Sequence, residues 1–454
     1  MKTDSKTLFT EVSPLKLFFI AAIPGMISMA AMSVYSIVEG MFIGQVLGGA
    51  AFAAQNLAMP FVMINFALAD LVGVGSSVQI SIALGRRDER GANRLFSASL
   101  ILIFTLALLM GAVMFFASPT LLRWMGAEGE TARLAVNYLR TYALCGPICS
   151  VVFAMDNYLR ICGKIKGSMA LNVFMSALTI GLLALFLLVF EMDIVGAALA
   201  SSGAMAVCAV IAFIPFLRGK TVLRFARPDF SPASVKRILA CGAPTFLNNI
   251  AGRVAAIAIN AALLYVGGEI AVSAYGVLMY SGDFVMPFIY GLSDSLQPAI
   301  GYNLGAGNIR RVKSIAKCVF VASGILSAVA AVLLFVFASP AASLFVDSTE
   351  TELLYVAGGA LRLFCTSLLF RWFSFCTQGF FSAVERPASA SVLSVASALV
   401  FPLVSIALLW PLGLDGLWLN ALSVAVLTGI LAAGMLAFVW RRLGSRASRA
   451  AEEK

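Results

Sequence analysis

Apolar runs of twenty residues or more, separated by short polar and charged stretches, recur from one end of the chain to the other. Two of them, Leu95–Leu122 and Cys318–Phe345, contain no charged residue at all. Each is long enough to cross the roughly 30 Å hydrocarbon layer of a bilayer as an α-helix. They are too long and too uniformly apolar for the alternating strands of a membrane barrel. The pattern predicts twelve helical spans at 15–40, 54–82, 94–117, 134–158, 166–190, 194–217, 236–262, 272–300, 312–338, 353–380, 388–410 and 416–440. No cleavable leader is expected. The first run, Leu15–Val38, carries Pro24 and leads straight through Glu39 into the body of the chain, so it reads as the first span.

Composition agrees with this. Of 454 residues, 61% are hydrophobic and 12% charged, about half the charge of a typical soluble domain. The net charge of +10 would fit a nucleic-acid partner, but its placement argues for orientation instead. Lysines and arginines gather on one side of the predicted spans: Lys2, Lys6 and Lys16, Arg86 to Arg94, Arg160 to Lys166, Arg218 to Arg237, Arg310 to Lys317, Arg386, and Arg441 to Lys454. These hold 26 of the 32 basic residues, while the opposite loops carry Glu128, Glu191, Glu269, Asp347 and other acids. The positive-inside rule then puts both termini in the cytoplasm, which requires an even number of spans. A multi-pass protein of a bacterial cytoplasmic (inner) membrane is expected. The chain has no histidine, and none of its eight cysteines forms a CxxC pair, so zinc, haem and imidazole chemistry are not expected. No P-loop and no hydrolase motif is present; neither ATP-driven transport nor an enzyme is expected, and no cofactor.

The chain also repeats itself at an offset of about 220 residues. Pro24 falls on Pro244, "VLGG" (46–49) on "VGGE" (266–269), and "ALGRRDERGANRL" (83–95) on "NLGAGNIRRVKSI" (303–315). "ASP" at 117–119 meets "ASP" at 338–340, one residue out of step. Six spans per copy is an even number, so both copies face the same way and their pseudo-twofold axis runs along the membrane normal. The expected fold is an all-α polytopic membrane protein of twelve transmembrane helices in two six-helix lobes. The lobes are assigned to 1–217 and 236–440, joined by a cytoplasmic linker at 218–235 and followed by a basic tail at 441–454. Two like bundles that tilt about a shared cleft suit a transporter driven by an ion gradient.

Ionisable residues inside spans are rare and mark pathways. Glu39 lies deepest in the first lobe, in the span that carries Pro24, where a freed carbonyl allows a bend. A carboxyl there is costly unless protonated or paired. It can exchange a proton for a cationic substrate, or it can be an ordinary interhelical contact. Asp156 and Asn172 are further candidates for ion coupling, although Asp156 and Arg160, one turn apart, can neutralise each other. Candidate cleft residues are Tyr35, Gln55, Asn157, Ser176, Met279, Asp283, Met286, Tyr290 and Asp294, with Arg253 as a candidate counter-ion. Methionine and aromatic side chains line adaptable sites for greasy cations, but they are also ordinary packing.

Four stretches resemble the multidrug and toxic compound extrusion (MATE) family, in its bacterial MepA or DinF-like branch. They are "YSIVEGMFIGQVLGGAAFAA" (35–54), "SIALGRRDERGA" (81–92), "DNYLRICGKIKGSMALNV" (156–173) and "GLSDSLQPAIGYNLGAGNIRRV" (291–312). The resemblance implies two six-helix lobes, alternating access, and proton- or sodium-coupled efflux of cationic, often aromatic compounds. It puts Glu39 where the branch commonly has an aspartate, Pro24 at the bending proline, and Asn172 at a polar position of helix five. Ser176 stands where an acid is often found.

The expected function is a secondary antiporter that exports organic cations in exchange for protons, working as a monomer among membrane lipids and without nucleic acid. Protons are preferred to sodium because a lone carboxylate can work by protonation. Sodium-coupled efflux, a flippase for a lipid-linked or amphipathic substrate, and a non-transporting scaffold or sensor remain open.

Overall fold

The computed structural model describes residues 5–343 and 350–452, with side chains described through Leu443. Lys2, Asp347 and Lys454, which entered the charge pattern, lie outside the described residues. Every regular element described is helical: α1 Ser5–Thr10, α2 Pro14–Phe42, α3 Gly49–Gly85, α4 Glu89–Trp124, α5 Gly129–Ile161, α6 Ile165–Ala184, α7 Ile194–Leu217, α8 Pro232–Asp294, α9 Gln297–Gly305, α10 Ile309–Val336, α11 Ala338–Ala342, α12 Thr351–Ala383, α13 Pro387–Val395, α14 Phe401–Leu409 and α15 Gly413–Glu452.

Among the described residues, ten continuous helical stretches are long and apolar enough to cross a membrane. Two are too long for one crossing. Pro232–Gly305 spans 74 residues and is broken at Gly268, whose φ of 63° no helix can contain. Pro387–Leu443 spans 57 residues and turns at Gly413, with φ 61°. Dividing each at its glycine yields twelve crossings, at the places the hydropathy pattern predicts. The helices overrun the predicted spans by several residues because their ends continue into polar surroundings. There, capping side chains satisfy the first backbone amides. Asp88 accepts from Gly91 N at 2.8 Å, and Asp193 from Val195 N at 2.9 Å.

The chain divides into two compact units. The first holds the residues up to Glu11 and Ile27–Gly242; the second holds Val12–Met26 and the residues from Ala243 onward. The first half of α2 thus groups with the second unit. There Gly25 and Gly291 let α2 and α8 touch backbone to backbone: a methyl group added at Gly291 would stand 2.5 Å from the Gly25 carbonyl oxygen. The Arg311 guanidinium also donates to the Val12 carbonyl.

The first unit has a core of Ile43, Tyr138, Leu139, Leu183 and a run of alanines on α3 and α7. The Tyr158 hydroxyl of α5 meets Ser76 of α3 and Ser99 of α4, each at 2.7 Å, so one buried phenol ties three helices together. The second unit packs Leu263, Ala274, Ile289, Leu361, Phe364 and Leu368 against Trp418.

The sequence repeat reappears in the backbone. Left-handed residues stand at Gly48 and Gly268 and at Arg87 and Gly307, each pair 220 residues apart. The next pairs, Gly163 with Glu385 and Glu191 with Gly413, are 222 apart. After Arg87 and Gly307 come Asp88 and Asn308, and each caps the following helix. One supersecondary pattern is used twice, with two extra residues in the second copy.

Candidate functional site

Glu39 lies near the end of α2. Four residues further on, the helix widens to π geometry over Ile43–Leu47 before Gly48 ends it. Such widenings shift side chains off the regular helical face and often occur at functional positions. Pro24, the expected bend, lies inside α2, which stays helical through it. The Glu39 side chain is 4% exposed, and its Oε1 accepts a 2.6 Å hydrogen bond from Ser201 Oγ of α7. Tyr35, one turn earlier on α2, and Tyr138 and Tyr142 of α5 are close enough to feel its charge. Gln55 of α3 adjoins Tyr138. The tyrosine rings of α5 are 5.1 Å apart. This is a carboxyl that accepts from a hydroxyl and has phenols around it. It can exist protonated without leaving a buried charge.

Two of the predicted cleft residues, Tyr35 and Gln55, thus join Glu39. Ser201, Tyr138 and Tyr142 were not predicted. The tyrosines leave a faint trace in the sequence, an i,i+4 aromatic pair in the fourth span; Ser201 sits in a string of small residues that reads as close packing.

Asp156 and Asn172 meet each other in a second cluster. Asp156 Oδ2 pairs with Arg160 Nη2 at 2.6 Å. Asp156 Oδ1 accepts from Asn172 Nδ2 at 3.0 Å and from the Ser168 hydroxyl. Arg160 Nε donates in turn to Ser168 Oγ at 3.1 Å. The carboxylate, the guanidinium and two polar side chains close on themselves. Asn157 and Ser176 hydrogen-bond to backbone carbonyls of their own helices, those of Phe153 and Asn172.

In the second unit, Met279, Met286 and Tyr290 line a cavity of about 300 Å³ together with Arg371 of α12 and Trp418 of α15. Asp283 lies beside this cavity, within the influence of both Arg371 and Arg253. Arg253 therefore does have an acid nearby, but Arg371 shares it. Asp294 accepts from Gln297 Nε2 at 2.8 Å. Arg371 was not predicted to belong to a site; the tenth span carries two arginines, Arg362 and Arg371, and nothing in the sequence singles out the second.

A twice-repeated membrane helix bundle that buries a protonatable acid is the construction of an ion-coupled secondary transporter. Comparison with known proteins agrees. The MatE family model matches twice, at residues 24–185 and 244–407, one match per repeat. The chain belongs to the MatE family and is a multi-pass membrane transporter. The multidrug export protein MepA of Staphylococcus aureus (strain MSSA476) is 27% identical over 409 residues, 89% of each chain. A crystal structure of MATE in complex with MaL6 has the same fold, with a TM-score of 0.93 at 24% identity over 98% of this chain and 100% of that one. An outward-facing multidrug resistance MATE transporter of the MOP superfamily matches with a TM-score of 0.90 at 25% identity, over 98% and 100%.

Proposed function

We propose that this transporter exports organic cations from the cell in exchange for protons, by alternating access, with Glu39 as the coupling carboxyl. The observation that carries the reading is the bond between Glu39 and Ser201: a buried acid whose described hydrogen-bond partner is a neutral hydroxyl, among phenols. Protonated, Glu39 fits its apolar surroundings. Ionised, it needs a cation, and an organic cation entering beside Tyr35 and Tyr138 would meet both the charge and the aromatic faces.

Protons are preferred to sodium for a reason of donor supply. Sodium needs several oxygens around it. In this unit the second candidate acid, Asp156, is already satisfied by a guanidinium, a hydroxyl and an amide. Asp156 and Asn172 are accordingly proposed to brace α5 against α6 and to affect coupling only indirectly. The name of the MepA relative supports a multidrug cargo. The charge asymmetry of the loops supports a bacterial inner-membrane location with both termini in the cytoplasm. The two family-model matches support lobes at 1–217 and 236–440 with a linker between.

The test is ethidium transport in proteoliposomes under an imposed pH gradient, with and without sodium, for wild type and Glu39→Gln. Flux that follows the pH gradient and is lost in Glu39→Gln is expected. Flux that follows sodium, or survives the substitution, would overturn the assignment.

A further inference from the structure

The cavity in the second unit does not look like a cation site. Of the described residues that line it, Arg371 alone carries a formal charge. Around it stand the amides of Asn248 and Gln378 and the rings of Tyr290, Phe375 and Trp418. Tyr290 and Phe375 are tilted against each other at 4.3 Å, forming one aromatic wall. The acid nearby is Asp283, which lies outside the lining and within the influence of two guanidiniums, Arg371 and Arg253. With Asp294 counted as well, the acids and guanidiniums in this region balance, and the charge on the cavity wall itself is that of Arg371, whose guanidinium also hydrogen-bonds Tyr290. Asp294, which also acts on Tyr290, lies outside the lining and accepts from Gln297. Its volume of about 300 Å³ is at the small end of ligand pockets, the size of a fused-ring compound.

We infer that this cavity binds aromatic carboxylates, with the Arg371 guanidinium on the carboxylate and the ring system between Tyr290, Phe375 and Trp418. A planar guanidinium holds a carboxylate through two parallel N–H donors, and apolar walls strengthen that pairing by excluding water. The assignment adds a carboxylate-binding site in the second unit to the cation site proposed in the first. It concerns binding and does not rest on the efflux reading.

The experiment is calorimetric titration of the detergent-solubilised full chain with 1-naphthoate and, separately, with 1-naphthylmethylammonium. Wild type is expected to bind naphthoate about tenfold or more tightly than the ammonium compound. Arg371→Gln should weaken naphthoate by a similar factor and leave the ammonium compound no weaker, with Arg371→Lys intermediate because a point charge replaces the fork. Absent naphthoate binding in wild type, a preference for the ammonium compound, or unchanged naphthoate affinity in Arg371→Gln would each overturn the assignment. Should Arg371→Gln fail to fold, phenylglyoxal labelling of wild type decides: naphthoate must slow modification of Arg371, and equal labelling with and without it refutes the site. Ethidium flux measured on the same preparations separates the two claims. Intact naphthoate binding without ethidium flux removes the efflux reading alone, and the reverse removes the cavity assignment alone.

Discussion

Ser201 reaches across 162 residues of sequence to donate a 2.6 Å hydrogen bond to Glu39. Both side chains are buried, and the bond joins the first span to the sixth. A hydroxyl donor to a buried carboxyl contributes on the order of 1.5–3 kcal/mol when the acid is ionised. Ser201→Ala should therefore lower the melting temperature in detergent and reduce pH-driven ethidium flux by several-fold without abolishing it, since the titrating group is still present. Flux equal to wild type would show that the bond plays no part in coupling.

Arg160 is 4% exposed and pairs with Asp156 at 2.6 Å. Removing one member of a buried pair leaves the other charge uncompensated, at a cost of about 3–5 kcal/mol. Asp156→Asn and Arg160→Gln should each destabilise strongly, while the double variant should cost much less than their sum. A double-mutant cycle of thermal or denaturant unfolding reads this directly. Additive losses would mean the pair is not a closed unit.

Gly268 and Gly276 lie in the same long helical stretch, and an added methyl group meets nothing within 4 Å at either. Only Gly268 has a left-handed backbone, φ 63°. Gly268→Ala should destabilise by about 1–2 kcal/mol, whereas Gly276→Ala should be neutral or stabilising by up to about 1 kcal/mol through helix propensity. Melting temperatures that shift in opposite directions are the expected result. A matching loss at both would place the cost elsewhere.

The segment between α7 and α8 carries its own pH dependence. Asp229 is held below its ordinary value by the backbone N–H of Ser231 and then by the hydroxyl of Ser234, which donates at 2.8 Å. A carboxyl lowered in the folded state contributes order above its unfolded value, near about 4, and loses it as pH falls through the folded one. Amide exchange over 229–234, corrected for intrinsic rates, should accelerate only once pH drops below about 4. Asp229→Asn should show the faster exchange already at neutral pH, and slow exchange in that variant would contradict the turn's dependence on the carboxylate.

The crossings were legible because a bilayer imposes one length on every apolar run, whatever its neighbours. Glu39 was legible for the related reason that a carboxyl in such a run is rare. Partners were not. Ser201 and Arg371 acquire meaning only from the angular setting of helices far apart in sequence, which local composition does not encode. Asp156 shows the converse. Its neighbour Arg160 could be read as a neutralising partner one turn away, but the closing contacts from Ser168 and Asn172 come from the next helix. The helix ends were underestimated because capping residues such as Asp88 count as loop by hydropathy while serving the helix by hydrogen bonding.

The recurring left-handed turns have a mechanical consequence. Adding one residue inside an α-helix rotates every later side chain by about 100° around the axis. The second copy gains two residues between Gly307 and Glu385, yet the turns at Glu385 and Gly413 still fall in step with Gly163 and Glu191. Each left-handed residue interrupts the screw, so the helix that follows starts with its own phase. A length change before such a break need not be passed on as rotation, so one crossing can be lengthened while the next still presents the same face.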